Sequence, residues 1–451
     1  MPTIEPFRGV YYNPQKIANP AAVVAPPYDV IDTQLGTELL ARSPYNIIRL
    51  ILGKSAREKG SARETAAYRQ AADTLADWCR RGILVTDDRP AIYYLEEEFT
   101  ALGTTYCRKG FIGLLRLDDL KQDAVLPHEQ TMSGPKEDRL QLMQACRANF
   151  SQIFTLYDDP DLLVEKTLQQ HRREAVPFLE IRAGDSLDGI SRRLWRVVEE
   201  DAIRKVQAVL APQSLLIADG HHRFETALKY RQRRREQEPD AAPGQPYDFV
   251  MVYGTNTASP DLAILPTHRL LSSYPGLNPD SFRQRAGKFF QLTPLEPPAA
   301  DSGETAAWLL ARLQREEAGI HFIAVVGRQP DYFLLSLPPA KLAAAMAAMP
   351  PALATMDVAA LQHLLFDRAL GISAADMKSQ RYTSFTQDAA AAIDAVRAGE
   401  NQLAILLRPT SISQVRQVAT AGEKMPQKST FFYPKLVTGL ILYLFDSCQQ
   451  A

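Results

Sequence analysis

The chain lacks any apolar run long enough to cross a bilayer as a helix; the longest, Leu436 to Phe445, falls well short. Met1-Pro2-Thr3-Ile4-Glu5-Pro6 has neither a basic start nor an apolar segment, so no secretory leader is expected from it. No charge of one sign dominates: Lys plus Arg total 51, Asp plus Glu total 52, and the formal net charge is -1. A nucleic-acid binder gains affinity by neutralising phosphates and carries a basic excess, so nucleic acid is a poor expectation as partner. Cysteine is scarce. The four residues, Cys79, Cys107, Cys146 and Cys448, include no C-x-x-C pair, which argues against a zinc knuckle and against a disulfide framework. Cys79 and Cys146 fall in helical patterns and read as small buried hydrophobes, and unpatterned thiols fit a reducing compartment, here the cytoplasm. Gly53-Lys54-Ser55 hints at a Walker A loop, but Ile48 stands where that motif needs its first glycine. G-x-G-x-x-G, H-E-x-x-H and G-x-S-x-G are missing too.

What is present is ordinary globular material. The 451 residues are 46% hydrophobic and 23% charged, enough for two or three domains. Strand-like and helix-like segments intermix throughout, giving an α/β class of mixed α+β character. The 62–81 segment has Ala67, Tyr68, Ala71, Leu75 and Trp78 near a 3.6-residue period and predicts a helix. Strands are expected at 91–99, 104–115, 153–157, 214–218, 248–254, 263–266, 320–327, 331–336, 379–385 and 402–407, and also at 46–52. Val23 to Ile31 reads as a strand entering a proline-fixed loop. The spacing predicts one long helix over 189–210, a linker at 292–300 and an alanine-rich helical segment at 339–370. Three regions follow: an N-terminal α/β region (1–120), a central core (121–290) and a C-terminal α/β region (301–451).

The chemistry concentrates in two places. A buried strand stops at Asp219-Gly220 and a helix starts almost at once. Glycine permits the sharp turn, and the unpaired first-turn N–H groups of the helix form an anion site. His221, His222 and Arg223 surround that position with donors, and Arg can grip a phosphate bidentately. Asp219 could orient an imidazole or hold a divalent metal. The plain alternative is a capped helix with solvated histidines, which two imidazoles and a guanidinium at one helix start make the weaker reading.

The second cluster is Pro127-His128-Glu129-Gln130-Thr131, followed by Lys136 and Arg139. Glu129 suits a general base on a substrate hydroxyl, and Lys136 and Arg139 could neutralise further phosphate charge; a helix-capping turn explains the same residues equally well. His268, at the end of a strand, is a further candidate phosphate ligand. Asp29, Thr131, Lys428 and Ser429 are candidate substrate contacts, and Lys428, Ser429, Thr430 and Lys435 could supply an anion-binding lid from a distinctive C-terminal stretch, with plain packing the equal alternative. His171, His321 and His363 read as structural.

Five stretches, VVAPPYDVI (23–31), VLPHEQTMSGPKEDR (125–139), ADGHHRFETA (218–227), ILPTHRL (264–270) and MPQKSTFFYPK (425–435), resemble the domain-of-unknown-function 1015 family in the same order, so that residues 1–440 would form one family unit. A narrower resemblance joins Pro127-His128-Glu129 and Asp219-Gly220-His221-His222-Arg223 to the free serine kinases of the ParB/sulfiredoxin-like fold. It implies a core of that fold with an extra N-terminal region and a C-terminal α/β domain. It also implies Glu129 as base, with His128 and Asp219 beside it, and Gly220, His221, His222 and Arg223 as phosphate ligands. About 90 residues separate the two motifs here, more than in the compact kinases, which implies an insertion. The expected activity is phosphoryl transfer to or from a small alcohol such as L-serine, with Mg²⁺, which Asp219 could help to hold, and ATP, ADP or pyrophosphate as donor. The expected partners are a small-molecule substrate and that donor, with room for a homodimer and no membrane. A ParB-like nucleotide-responsive DNA-binding protein and a metal-dependent phosphatase are the competing readings.

Overall fold

Long runs of β-branched and aromatic residues dictate the first sheet. In the computed structural model, which describes residues 2–52, 61–117, 123–129, 133–298, 300–316, 319–446 and 448, six strands carry it. They are β1 (Ile92–Ala101), β2 (Thr104–Arg116), β3 (Ile153–Tyr157), β4 (Ser191–Val197), β5 (Leu215–Asp219) and β6 (Phe249–Asn256). Their order is β5-β3-β6-β2-β1-β4, extended by Val125–Leu126 beside β5 and Leu179–Ile181 beside β4, with Ile4–Glu5 pairing β2. Val125–Leu126 runs parallel to β5 and β3 runs parallel to β6, while the other pairs along this order are antiparallel. A mixed sheet of this kind with helices against it is an α/β fold. Helices α1 (Ser61–Arg80), α2 (Ser133–Cys146), α3 (Glu200–Leu210) and α4 (His221–Gln237) accompany it, with α2 packed on both α1 and α4.

Contacts divide the chain into two units. The first holds residues 1–127, 131–263 and 434–451, and the second holds 128–130 and 264–433. The unit boundary at 263/264 lies well before the expected one at 290–301, because the 268–271 segment is a strand of the second sheet rather than an end piece of the first.

That second sheet has six strands, entirely antiparallel. In chain order they are β7 (His268–Leu271), β8 (Gln291–Leu295), β9 (Ile320–Val326), β10 (Asp331–Leu337), β11 (Thr383–Thr386) and β12 (Leu403–Leu406), arranged β8-β10-β9-β12-β7-β11. Helices α5 (Ser302–Gln314) and α6 (Ala389–Arg397) bury Leu309, Leu313, Ile393 and Val396 against Ile323, Val325 and Leu406. The alanine-rich stretch forms helical pieces, Pro339–Ala345, Pro351–Ala354, Asp357–Ala360 and a π-helical Leu361–Leu370, since Pro350 and Pro351 interrupt any continuous helix.

Four expectations fail for identifiable reasons. The 189–210 segment is a strand and then a helix. Arg192 and Arg196 are buried in β4, Arg192 against Glu97 and Asp188 and Arg196 against Asp87, so the strand's alternation is hidden under charge. The 46–52 segment is helical over Ile48–Ile51, because Asn46 Oδ1 accepts from Ile48 N at 3.0 Å and nucleates a turn. Residues 23–31 form no strand; the two prolines lead into a 3₁₀ turn at Tyr28–Val30. The presumed linker contributes β8, paired to β10. The cysteine expectation fails as well. Cys79 and Cys448 form a disulfide, with Cα atoms 5.1 Å apart across 369 residues of sequence, a distance at which no spacing motif could be read; Cys107 and Cys146 stay free. Among the described residues no helix is long and apolar enough to cross a membrane.

Candidate functional site

In the first unit, β5 delivers Asp219 at its end. Its pairing to β3 slips between Ile217 and Asp219, an irregularity of the type that re-aims side chains at strand ends. Gly220 follows with φ +93°, a left-handed conformation, and a Cβ there would sit 3.0 Å from the Arg223 guanidinium. Only glycine satisfies both constraints. Helix α4 starts at His221, and its N-cap residue, Gly220, has no side chain with which to cap it.

Arg223 turns back over Gly220. Its Nη2 donates to Asp219 Oδ2 at 2.7 Å, and Nη1 donates to the Gln152 carbonyl. Lys435 Nζ donates to the other Asp219 oxygen. One carboxylate thus lies between two cations, leaving one net positive charge. Burial by itself would raise the Asp219 carboxyl. Lys435, Arg223 and the buried His221 outweigh it and hold the group well below the usual carboxylate range. His222 is half-buried, and its carbonyl accepts from Thr226 Oγ1 at 2.7 Å. Lys435 was expected as part of an anion-binding stretch; what the sequence did not reveal is that it pairs with Asp219, 216 residues earlier.

Tyr28 is a second residue that sequence reasoning passed over. The proline-fixed 3₁₀ turn presents it, half-buried, while its neighbour Asp29, the residue expected to matter, is exposed. The Arg139 guanidinium carbon lies 4.3 Å from the Tyr28 ring centre, and Arg139 Nη1 donates to the Ile51 carbonyl at 2.9 Å. Burial pushes the Tyr28 phenol up, against the opposing pull of Arg139 and Arg223, so it keeps its proton at neutral pH. Lys136 pairs with Glu225 of α4, and Lys229 of α4 pairs with Glu137 at 2.9 Å. Lys136 therefore ties two helices together, a structural use that the expectation of phosphate binding did not include.

In the second unit, His128 is fully buried and its Nε2 lies 3.0 Å from Thr430 Oγ1. Thr430 Oγ1 in turn donates to Glu129 Oε1 at 3.3 Å. With the Nε2 tautomer protonated, the order runs His128 to Thr430 to Glu129, each hydroxyl or ring proton fixing the next group. Backbone pairing holds the arrangement, since Met425 N donates to the His128 carbonyl at 2.8 Å. Arg269 is buried nearby. Burial pushes its guanidinium down to about 10, and Glu129 opposes that shift. Arg269 donates to the carbonyls of Thr267 at 2.7 Å and Lys428 at 3.0 Å, which anchors the segment carrying Thr430.

Three expected contacts take other roles. His268 is fully buried in β7, its Nδ1 accepts from Leu407 N at 3.2 Å, and burial, with Arg269, pushes its pKa down to about 4. A neutral imidazole sealed in a sheet is no phosphate ligand. Ser429 is buried and spends its hydroxyl on the Pro426 carbonyl at 2.6 Å, and exposed Lys428 occupies a left-handed turn position whose carbonyl serves Arg269. Thr131 lies outside the described residues.

Asp219 does not suit a resident Mg²⁺. Both of its oxygens are engaged by cations, and among the described residues no three His, Cys, Asp or Glu side chains gather as a metal site.

The family model described as "Protein of unknown function (DUF1015)" matches residues 4–359. No curated protein matches the chain. Among solved structures, a mutant free serine kinase in complex with AMP is similar at 12% identity and a TM-score of 0.34, covering 71% of this chain and 86% of its own. A conserved hypothetical protein from Pyrococcus furiosus aligns at 10% identity and a TM-score of 0.34, over 75% of this chain and 95% of its own. SbnI with a C-terminal truncation from Staphylococcus aureus aligns at 10% identity and a TM-score of 0.33, over 72% and 85%.

Proposed function

This chain belongs to the DUF1015 family, and from that premise we propose that it is a phosphoryl-transfer enzyme acting on a small hydroxyl-bearing molecule. One observation carries the reading: an uncapped helix start with one net positive charge, built from Asp219, Gly220, Arg223 and Lys435. Such a position suits a phosphate, because helix-start N–H groups and fixed cations stabilise charge without reorganising during the reaction. The motif resemblance to free serine kinases supplies the rest. Arg223 and the first N–H groups of α4 hold the donor's phosphates. Glu129, oriented by Thr430 and His128, takes the proton from the acceptor hydroxyl. The hydroxyl oxygen then bonds to phosphorus as the bond to the leaving phosphate breaks, and the charge that develops on the leaving oxygen falls to the cations. Mg²⁺ arrives with the phosphates, where it neutralises their charge. The engagement of both Asp219 oxygens weighs against a metal-dependent phosphatase built on that residue.

The test incubates purified protein with Mg²⁺, L-serine and other small alcohols, and ATP, ADP or pyrophosphate, and follows ³¹P NMR for a new phosphomonoester. Transfer to any acceptor supports the reading, and no product across the full panel overturns it. In an active pair, Glu129→Gln is expected to lose about 10²–10⁴-fold in turnover while nucleotide still binds. A variant that keeps its rate removes Glu129 as the base.

A further inference from the structure

Arg269 of β7 is 3% exposed, and its guanidinium donates to the carbonyls of Thr267 at 2.7 Å, Lys428 at 3.0 Å and Gln427 at 3.4 Å. Carbonyls satisfy its protons but carry no charge to balance it, and a buried cation without a counter-charge is costly. The Gln427 and Lys428 carbonyls lie in the middle of the 425–430 turn, where Lys428 takes a left-handed conformation at φ +58°. The two ends of that turn hold Glu129. Met425 bridges to it through the backbone, and Thr430 Oγ1 donates to its Oε1 at 3.3 Å. Arg269 and Glu129 therefore grip one short turn, the cation at its middle and the carboxylate at its ends. Glu129 is also the carboxylate whose charge acts on Arg269.

We infer that Arg269 is the positioning residue of Glu129: its planar fork pins the 425–430 turn, which sets Thr430 on the carboxylate, and its charge keeps that carboxylate in the proton-accepting form. Lysine does not replace it, since an ammonium is a single point where the guanidinium spans the carbonyls of Thr267 and Lys428. The inference rests on the reading of Glu129 as general base and adds to it what holds that base ready. The other ionisable groups on these elements do not supply the charge. His128 is bonded to Thr430, and His268 stays neutral in its sheet. Lys424 and Lys428 are exposed, where water and salt screen them, and Glu423 on the approach to the turn has the wrong sign.

Two variants of the full chain separate the fork from the charge. Arg269→Gln keeps an amide donor for a carbonyl and loses the charge, whereas Arg269→Lys keeps the charge and loses the fork. ¹³C NMR of the glutamate carboxyls, with Glu129 assigned by its absence in Glu129→Gln, follows the titration. Phosphoryl transfer to the best acceptor found gives kcat and KM against pH. In Arg269→Gln, Glu129 is expected to take up its proton about one pH unit higher, and the acid limb of kcat/KM moves with it. In Arg269→Lys the limb stays in place while kcat falls about tenfold and KM holds. An arginine that only braces the fold would lower the urea midpoint in both variants and move neither the titration nor the limb, and that result overturns the inference. Arg269→Lys with wild-type kcat overturns it too, and decides the matter if the neutral variant does not fold. A shifted titration in a chain that phosphorylates no acceptor upholds the pairing while the phosphoryl-transfer reading falls; transfer with an unshifted limb in Arg269→Gln does the reverse.

Discussion

Asp219 and Asp357 are both carboxylates paired to arginine, yet their surroundings make opposite use of the charge. Asp357 in the second unit takes Arg408 through two bonds, Nε to Oδ2 at 2.9 Å and Nη2 to Oδ1 at 3.0 Å. Arg408 then spends its remaining donors on the carbonyls of Glu316 and Gly319. Burial pushes the Asp357 carboxyl up, and Arg408 offsets that only in part. All three Arg408 nitrogens have partners within the fold, and the charges cancel. At Asp219 two cations share one carboxylate, the Arg223 guanidinium packs over the glycine beside it, and the carboxyl is held down. A balanced ion pair braces a fold, whereas an unbalanced one has charge left over for a ligand.

Exchanging the two arginines breaks this contrast most sharply. Arg408→Gln strands Asp357 and is expected to cost about 3–5 kcal/mol of unfolding free energy, measured by urea midpoint. Arg223→Gln leaves Asp219 with Lys435 and is expected to cost only about 1 kcal/mol of stability, while pyrophosphate affinity falls about 10- to 100-fold. Equal stability losses without a binding loss would show that both pairs are braces.

His268 sharpens the contrast through pH. Its folded pKa of about 4 lies below the ordinary value of 6.5, so the native state binds fewer protons than the unfolded chain. Its contribution is complete above 6.5 and drains away as pH falls from 6.5 toward 4. At pH 5 the loss is about 2 kcal/mol, and His268→Gln should remove that share of the slope in urea melts at pH 7 and pH 5. An unchanged slope would mean that His268 titrates normally. Lys435→Met has the smallest expected effect, about 1 kcal/mol at pH 7. Asp219, relieved of the Lys435 charge, should titrate closer to an ordinary carboxylate, so less stability is lost on acidification below the unfolded carboxylate range; ¹³C NMR of the carboxyl reads the shift directly. A carboxyl that stays depressed would assign the effect to Arg223 and His221.

Much of this was legible in the sequence where the signal is local. The Asp219-Gly220 stop and the helix that follows could be read because a glycine between a buried strand and a charged helix leaves few alternatives. The α1 helix and strands β1, β2 and β3 followed from periodicity and apolar runs. What escaped depends on long-range partners. Arg192 looks like a solvated residue until Glu97, 95 positions earlier, buries with it, and β4 then reads as a helix. The pairing of Cys79 with Cys448 and of Lys435 with Asp219 both rest on the tail returning to the first unit, which no window of sequence contains. Thr430 reaches Glu129 over 301 positions for a comparable reason.

That returning tail sets an order of events during synthesis. The strand bearing Asp219 and the guanidinium that caps it leave the ribosome more than two hundred residues ahead of Lys435. Until the final stretch emerges, the nascent protein holds its acidic residue against a single cation, and its Cys79 thiol has no mate. The stretch from Lys435 to Cys448, made later, therefore adds the surplus positive charge at Asp219 and closes the disulfide, and a product stopped before it would carry the recognisable loop with its charge merely cancelled.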